Sequence, residues 1–115
     1  MKFGTTYNQG EILLVPFPFS DLSEIRKRPV LVLSKNLENK KSEDLIVCGI
    51  TSNLKERKNS VFIDNLNLVE GEIPIKSVIK VDKLFSLDKS IILKKLAKLN
   101  LKTFDRVKKE FYSLV

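Results

Sequence analysis

The chain has 115 residues, 43% of them hydrophobic, and its 21 Lys and Arg against 14 Asp and Glu give a formal net charge of +7. This size fits one small globular domain spanning residues 1–115, and the excess of cations points to a polyanionic partner, most economically a nucleic acid. Because the chain has no histidine and a single cysteine, imidazole and thiolate metal sites, Ser-His and Cys-His nucleophiles and an internal disulfide are excluded.

The first half of the chain consists of short apolar runs separated by polar segments. We predict strands over residues 11–17, 29–34 and 45–51, since these runs are short, apolar and rich in β-branched residues. The second run is apolar at consecutive positions, which is typical of a strand buried on both faces inside a barrel or sandwich. The polar stretch over residues 35–43 is predicted to be a loop.

Three further strands are predicted in the second half, over residues 61–64, 78–84 and 93–99. The first of them follows a basic loop, residues 53–60. The stretch over residues 65–75 is predicted to be another loop, because it contains a turn-forming glycine and a proline.

The C-terminal segment changes to a helical period. Asn100 is a suitable N-cap, and the apolar residues that follow recur at steps of three and four, as on one face of an amphipathic helix. These residues are Leu101, Phe104, Val107, Phe111 and Leu114. Several short strands followed by one helix predict a mainly β fold, a small β-barrel with the helix packed on it.

Three consecutive cations, Arg26, Lys27 and Arg28, precede Pro29. Proline disfavours the α region for the residue before it, so we expect Arg28 to be extended at the mouth of the second strand. A guanidinium held there suits phosphate binding, because its planar donors match phosphate oxygens. The alternative interpretation of Arg28 is an ordinary surface cation beside a strand, with no role in binding.

Cys48 lies within an apolar run and is interpreted as a small buried hydrophobic residue, since the chain has no histidine to activate its thiol. The N-terminal residues lack an apolar secretory core, and no apolar run approaches the length that spans a membrane. We therefore expect a cytoplasmic protein with no membrane partner.

Three segments of the chain resemble the MazF/PemK family of toxin endoribonucleases. They are GEILLVPFPFSDLSEIRKRPVLVLS at residues 10–34, VCGITSN at residues 47–53 and SVIKVDKLFSLDKS at residues 77–90. The pairing of RPVLVLS with the later ITS is the more specific part. The resemblance implies an SH3-like barrel with a C-terminal helix, a homodimer, cleavage of single-stranded RNA without metal or other cofactor, and an acidic antitoxin as partner.

The resemblance also assigns roles to individual residues. The family's catalytic arginine falls on Arg28 and its catalytic threonine on Thr51. Ser23 and Glu24 match the start of a Ser-Glu-Gln found in the first loop of many members, whereas Ile25 stands in place of the glutamine. On this basis Glu24 is interpreted as a catalytic orienter or base.

A further group of residues is predicted to bind RNA beside the catalytic pair. Polar and charged side chains supply phosphate contacts, and two phenylalanines supply base-stacking faces if they are exposed rather than part of the core. The group consists of Ser23, Arg26, Lys27, Ser52, Asn53, Phe17 and Phe19.

Attack by the 2′-OH of the RNA on the adjacent phosphorus would suit a site without histidine, because the substrate supplies the nucleophile. The expected products are a 2′,3′-cyclic phosphate and a 5′-OH. Two other classes of function stay open: a non-catalytic barrel that binds RNA or DNA, and a toxin with a protein target, as in the CcdB proteins that share this fold and act on DNA gyrase.

Overall fold

The computed structural model describes residues 6–18 and 25–115. Within these residues seven strands pair in one antiparallel sheet, in the order β4-β6-β3-β2-β1-β7-β5. The strands are β1 (Glu11–Pro18), β2 (Ile25–Val32), β3 (Asp44–Thr51), β4 (Ser60–Ile63), β5 (Leu68–Gly71), β6 (Ser77–Asp88) and β7 (Lys94–Leu99), and the α-helices are α1 (Asn36–Lys41) and α2 (Leu101–Tyr112). The sheet curls into a half-barrel followed by the C-terminal helix, which confirms the predicted mainly β, SH3-like fold class.

Side chains alternate along the strands and fill a core on each face of the sheet. On β2, Leu31 lies in one core, while Val30 and Val32 lie in the other. Phe104 and Val107 of α2 pack into the first core. This burial on both faces explains why β2 is apolar at consecutive positions.

Cys48 of β3 is fully buried in the core that α2 covers, which confirms its interpretation as a buried hydrophobic residue. Burial, and after it the negative charge of Asp82, raises the pKa of the Cys48 thiol from 9.0 to about 12. The thiol is therefore protonated and unreactive at neutral pH.

Helix α2 begins where the sequence predicts. The side chain of Asn100 accepts a hydrogen bond from the backbone N–H of Thr103 at 2.8 Å, as an N-cap does. No helix in the described residues has the length and apolar character that crossing a membrane requires.

The predicted apolar stripe of α2 is only partly right. Phe104 and Val107 are buried, but Leu101 is 84% exposed and Leu114 lies beyond the end of the helix. Steps of three residues fall short of a full helical turn by about 60° each, so Leu101 points well away from Val107. A stripe built on successive steps of three therefore drifts off the sheet.

The prediction of a loop over residues 35–43 is wrong, because Asn36–Lys41 forms α1. Its buried residue is polar: the Asn39 amide donates to the backbone carbonyls of Tyr7 at 3.1 Å and Ser34 at 3.0 Å. Hydrogen bonds rather than an apolar face hold this helix, so hydrophobic periodicity gives no sign of it.

The predicted loop over residues 65–75 also contains regular structure. A short 3-10 turn, Asn65–Asn67, leads into β5, which pairs with β7 at the edge of the sheet. Only Leu68 of this strand is half-buried, so it lacks the alternation that marks a strand in a sequence. Gly71 ends β5 with φ 68, and a Cβ there would meet the Leu96 carbonyl oxygen at 2.1 Å.

Candidate active site

Strands β1 and β2 extend past their neighbours as a two-stranded arm. Strand β7 pairs with β1 only as far as Leu14, and β3 pairs with β2 only from Val30 onwards. Beyond these points, in the described part of the chain, residues 15–18 and 25–28 pair only with each other. The arm therefore leaves a gap between β2 and the end of β3.

The cations Arg26, Lys27 and Arg28 lie within β2, on this arm. The prediction of a strand that begins at Pro29, after these cations, is wrong. Pairing with β1 alone extends β2 back to Ile25. Pro29 has no N–H to offer and stands where β2 separates from β3. The expected extended geometry of Arg28 is confirmed.

Arg28 and Thr51 come together at this separation. Val30 and Gly49 form the last pair of the β2–β3 ladder, and Arg28 and Thr51 each lie two residues beyond that pair, on the face of the sheet that Val30 and Gly49 share. Both residues line one cleft of about 390 Å³, which we name the first cleft. The two predicted catalytic residues thus share a single cavity.

The Thr51 side chain is held by a local turn. Its Oγ1 accepts a hydrogen bond from the backbone N–H of Asn53 at 3.1 Å, and Asn53 Oδ1 accepts in turn from the N–H of Lys55 at 3.1 Å. A hydroxyl can accept and donate at once, so the Thr51 O–H keeps its proton available for a ligand oxygen. The turn that caps the end of β3 also prepares a hydrogen-bond donor.

Sequence reasoning missed three charged residues of the first cleft: Glu56, Lys80 and Lys83. Lys80 could have been noticed, because it interrupts the apolar run of β6 at a position that packing would fill with a hydrophobic residue. Glu56 is the single acidic residue within the basic loop, which was the available signal. Together with Arg28, the described residues of this cleft include three cations and one carboxylate.

A second cleft, of about 340 Å³, adjoins the first at Arg28, Pro29 and Ile50. Its polar wall contains three residues that were predicted to bind RNA, and its apolar wall comes from the segment before β6, which was not predicted. The polar wall holds Arg26, Lys27 and Ser52, together with Ser77 at the start of β6, and the segment before β6 contributes Ile73, Pro74 and Ile75.

The remaining candidates are distributed as follows. Asn53 is exposed on the turn that follows Thr51. Ser23, Glu24 and Phe19 lie outside the described residues, and only the backbone of Phe17 is described, opposite Arg26 on the arm. The predicted roles of these residues stay predictions.

Solved structures show the same fold. A chain of the MazE–MazF complex (Form-II) from Deinococcus radiodurans is 24% identical and has a TM-score of 0.78, with 96% of each chain covered. An endoribonuclease from Mycobacterial species is 16% identical with a TM-score of 0.75, covering 97% of this chain and 93% of that one. An endoribonuclease in complex with its cognate antitoxin, also from Mycobacterial species, is 16% identical with a TM-score of 0.74, covering 93% and 92%.

Sequence comparison gives the family. The curated proteins contain no match. A protein-family model, described as the PemK-like, MazF-like toxin of type II toxin–antitoxin systems, matches residues 8–115, which include both clefts. The chain therefore belongs to the PemK-like, MazF-like toxin family of type II toxin–antitoxin systems, as the resemblance of its three segments implies.

Proposed function

We propose that this protein is a metal-independent, sequence-specific endoribonuclease that acts as the toxin of a toxin–antitoxin pair. The observation that carries the proposal is the first cleft, which Arg28 and Thr51 line together. The chain's membership of the toxin family and the endoribonucleases among the structural neighbours of this protein support the same activity.

Single-stranded RNA is the substrate that suits these clefts. Cations line both clefts, and Arg28 lies where the two clefts meet. With a phosphate bound at Arg28, the nucleotide on one side of that phosphate would occupy the first cleft and the nucleotide on the other side the second cleft. The apolar wall of the second cleft, which includes Pro74 and Ile75, offers a surface for an unstacked base. Because every base can stack on such a surface, sequence preference would come from hydrogen bonds to the base edges, for which the same cleft offers the hydroxyls of Ser52 and Ser77.

Cleavage would proceed by transfer within the RNA. The 2′-oxygen forms a bond to the adjacent phosphorus as the bond from phosphorus to the 5′-oxygen breaks. The 2′-OH loses its proton and the departing 5′-oxygen gains one, leaving a 2′,3′-cyclic phosphate and a 5′-OH. The protein's task is to align attack and departure and to stabilise the charge that grows on the phosphoryl oxygens.

Arg28 and Thr51 supply that stabilisation in the proposed mechanism. The guanidinium donates to two phosphoryl oxygens, and it remains charged throughout because arginine does not deprotonate in proteins. The Thr51 hydroxyl donates a hydrogen bond to the same phosphate and keeps its proton. Arg28 therefore acts as an electrostatic clamp rather than as an acid or a base.

A carboxylate is the remaining candidate for the base that takes the 2′-OH proton. The family resemblance suggests Glu24, and Glu56 of the first cleft is a second candidate. Replacing each by glutamine and measuring kcat/KM against pH distinguishes them. The variant that loses the acidic limb of the profile identifies the base, and retention of that limb in both variants rules out both residues.

An antitoxin and a second copy of the chain are the proposed protein partners. Two structural neighbours were solved with an antitoxin or with MazE. An acidic, partly disordered segment lying on the cations of the two clefts would compete with RNA for the same charges. The homodimer is inferred from the family, and sedimentation of the purified protein at two concentrations tests it.

The test is to incubate the purified protein with a long unstructured RNA in excess EDTA and to map the new ends. We expect cleavage at a recurring short motif, with 2′,3′-cyclic phosphate and 5′-OH termini. Cleavage that requires added divalent metal would contradict the proposed mechanism. RNA that is retarded but never cut would favour the non-catalytic binder, and inhibition of DNA supercoiling with intact RNA would favour the gyrase-type toxin.

A further inference from the structure

Lys80 has an unusual position for a lysine. It lies on β6 between Ile79 and Val81, which are both fully buried, and it is itself only 7% exposed. A lysine is rarely buried to this extent unless its charge is paired and hydrogen-bonded. Its surroundings therefore indicate a specific role.

Two contacts hold the Lys80 ammonium. Its Nζ donates to the backbone carbonyl of Lys58 at 2.6 Å, and Asp82 Oδ1 lies 3.7 Å from Nζ, close enough to balance the charge. The first contact spans 22 residues and joins β6 to the loop between β3 and β4, residues 52–59, which we name the β3–β4 loop. Because the donor is a charged ammonium, this hydrogen bond is stronger than one between neutral groups.

The β3–β4 loop is fastened at both of its ends. Its start is the turn in which Asn53 donates to Thr51 Oγ1. At its other end, the carbonyl of Lys58 accepts from Lys80, and the next carbonyl, that of Asn59, accepts from the N–H of Val81 at 3.0 Å.

Strand β6 is shaped to make these bonds. Cys48 of β3 is opposite Leu84, but the next residue, Gly49, is opposite Lys80, so β6 bulges by three residues between the two pairs. Bulges re-aim side chains and are frequent beside active sites. Here the bulge leaves Lys80 on the same face as Gly49, at the wall of the first cleft.

We propose that Lys80 is a positioning residue, which acts through the Lys58 carbonyl to fix the β3–β4 loop and so keep the Thr51 hydroxyl and Glu56 in place at the first cleft. The backbone of Thr51 is held separately, by pairing with Val78 of β6. The inference rests on the proposed nuclease function for its catalytic consequence, but not for its structural one. Lys80 need not touch RNA, because its effect passes through the backbone of the loop.

The kinetic test compares three variants. Lys80→Met keeps the length of the side chain and removes the donor, and a misplaced loop should lower kcat by about 10- to 100-fold with a smaller change in KM. Lys80→Arg restores a charged donor and should recover part of the lost kcat. Lys83→Met removes the same charge from the same cleft without this anchor, so it should raise KM more than it lowers kcat.

Amide hydrogen exchange of the β3–β4 loop, measured without RNA, tests the anchor independently of activity. We expect faster exchange over residues 53–59 in Lys80→Met, and exchange close to the wild type in Lys83→Met. If the wild type cuts no RNA, the nuclease proposal fails while this experiment still decides the structural role of Lys80.

Two outcomes would overturn the inference. One is unchanged loop exchange in Lys80→Met, and the other is a pattern in which Lys80→Met and Lys83→Met both alter only KM and the salt dependence. Should Lys80→Met fail to fold, Lys80→Gln carries the test, because its shorter, neutral side chain weakens the bond to the Lys58 carbonyl while keeping a polar group in place. Loop protection and kcat should then fall together, and wild-type values of both would contradict the proposal.

Discussion

The two ends of the β2–β3 ladder differ in what they contribute to the molecule. At one end Val30 and Val32 are paired with β3 and buried in the core. At the other end, past Pro29, the strands separate and Arg28 and Thr51 line the first cleft. One pair of strands therefore supplies stability where its ladder is closed and a candidate site where the ladder opens, so substitutions in the two regions should have separable effects.

The largest effect is expected at the open end. Arg28→Ala removes the proposed clamp on the phosphoryl oxygens and should lower kcat/KM for RNA cleavage by about 10³-fold or more. The midpoint of urea unfolding should change little, because the side chain is only half-buried. Part of the salt-sensitive RNA binding should remain, since Arg26 and Lys27 keep their charges.

Arg106→Ala is the matched control for this substitution. Arg106 is an exposed arginine on α2, away from both clefts, so its loss should leave cleavage unchanged. Equal losses of activity in the two variants would mean that overall charge, not the position of Arg28, determines cleavage.

At the closed end the effect should be on stability. Leu31→Ala removes a fully buried side chain from the core that α2 covers and should lower the free energy of unfolding by about 2–5 kcal/mol. The protein that stays folded should retain its kcat. Urea unfolding followed by circular dichroism, with cleavage assayed well below the unfolding midpoint, measures both quantities. A loss of kcat in fully folded Leu31→Ala would contradict the prediction that the closed end affects stability and not activity.

Sequence patterns predicted the closed end better than the open one. Apolar runs revealed β2 and β3, and Asn100 marked the start of α2, because burial and capping leave local signals. The Arg28 and Thr51 assignments came from a family resemblance, and only the pairing of two distant strands brings the residues to one cleft.

What the sequence did not reveal depends on contacts between distant segments. The bulge that turns Lys80 toward the β3–β4 loop exists only when β6 pairs with β3 and β4. Helix α1 is held by the hydrogen bonds of Asn39, and the edge strand β5 has no buried face. None of these features has a hydrophobic period that a single sequence could show.

A smaller effect concerns Cys48 in the closed part of β3. The buried thiol has a pKa of about 12, raised from 9.0, so the unfolded chain loses this proton first as the pH rises. The stability linked to it is present below pH 9.0 and is lost between pH 9.0 and about pH 12, by up to about 1.4 kcal/mol per pH unit. The urea midpoint should therefore fall more between pH 8 and pH 10.5 for the wild type than for Cys48→Ala. Equal falls in the two proteins would contradict the raised pKa of the Cys48 thiol.

A double-mutant cycle on RNA cleavage tests most directly whether Arg28 and Thr51 act on the same phosphate. The cycle compares kcat/KM for the wild type, Arg28→Lys, Thr51→Val and the double variant, with each substitution chosen to leave measurable activity. We predict that the double variant loses clearly less activity than the product of the two single losses, because each residue depends on the other to hold the phosphate. Losses that multiply independently would contradict a shared site in the first cleft.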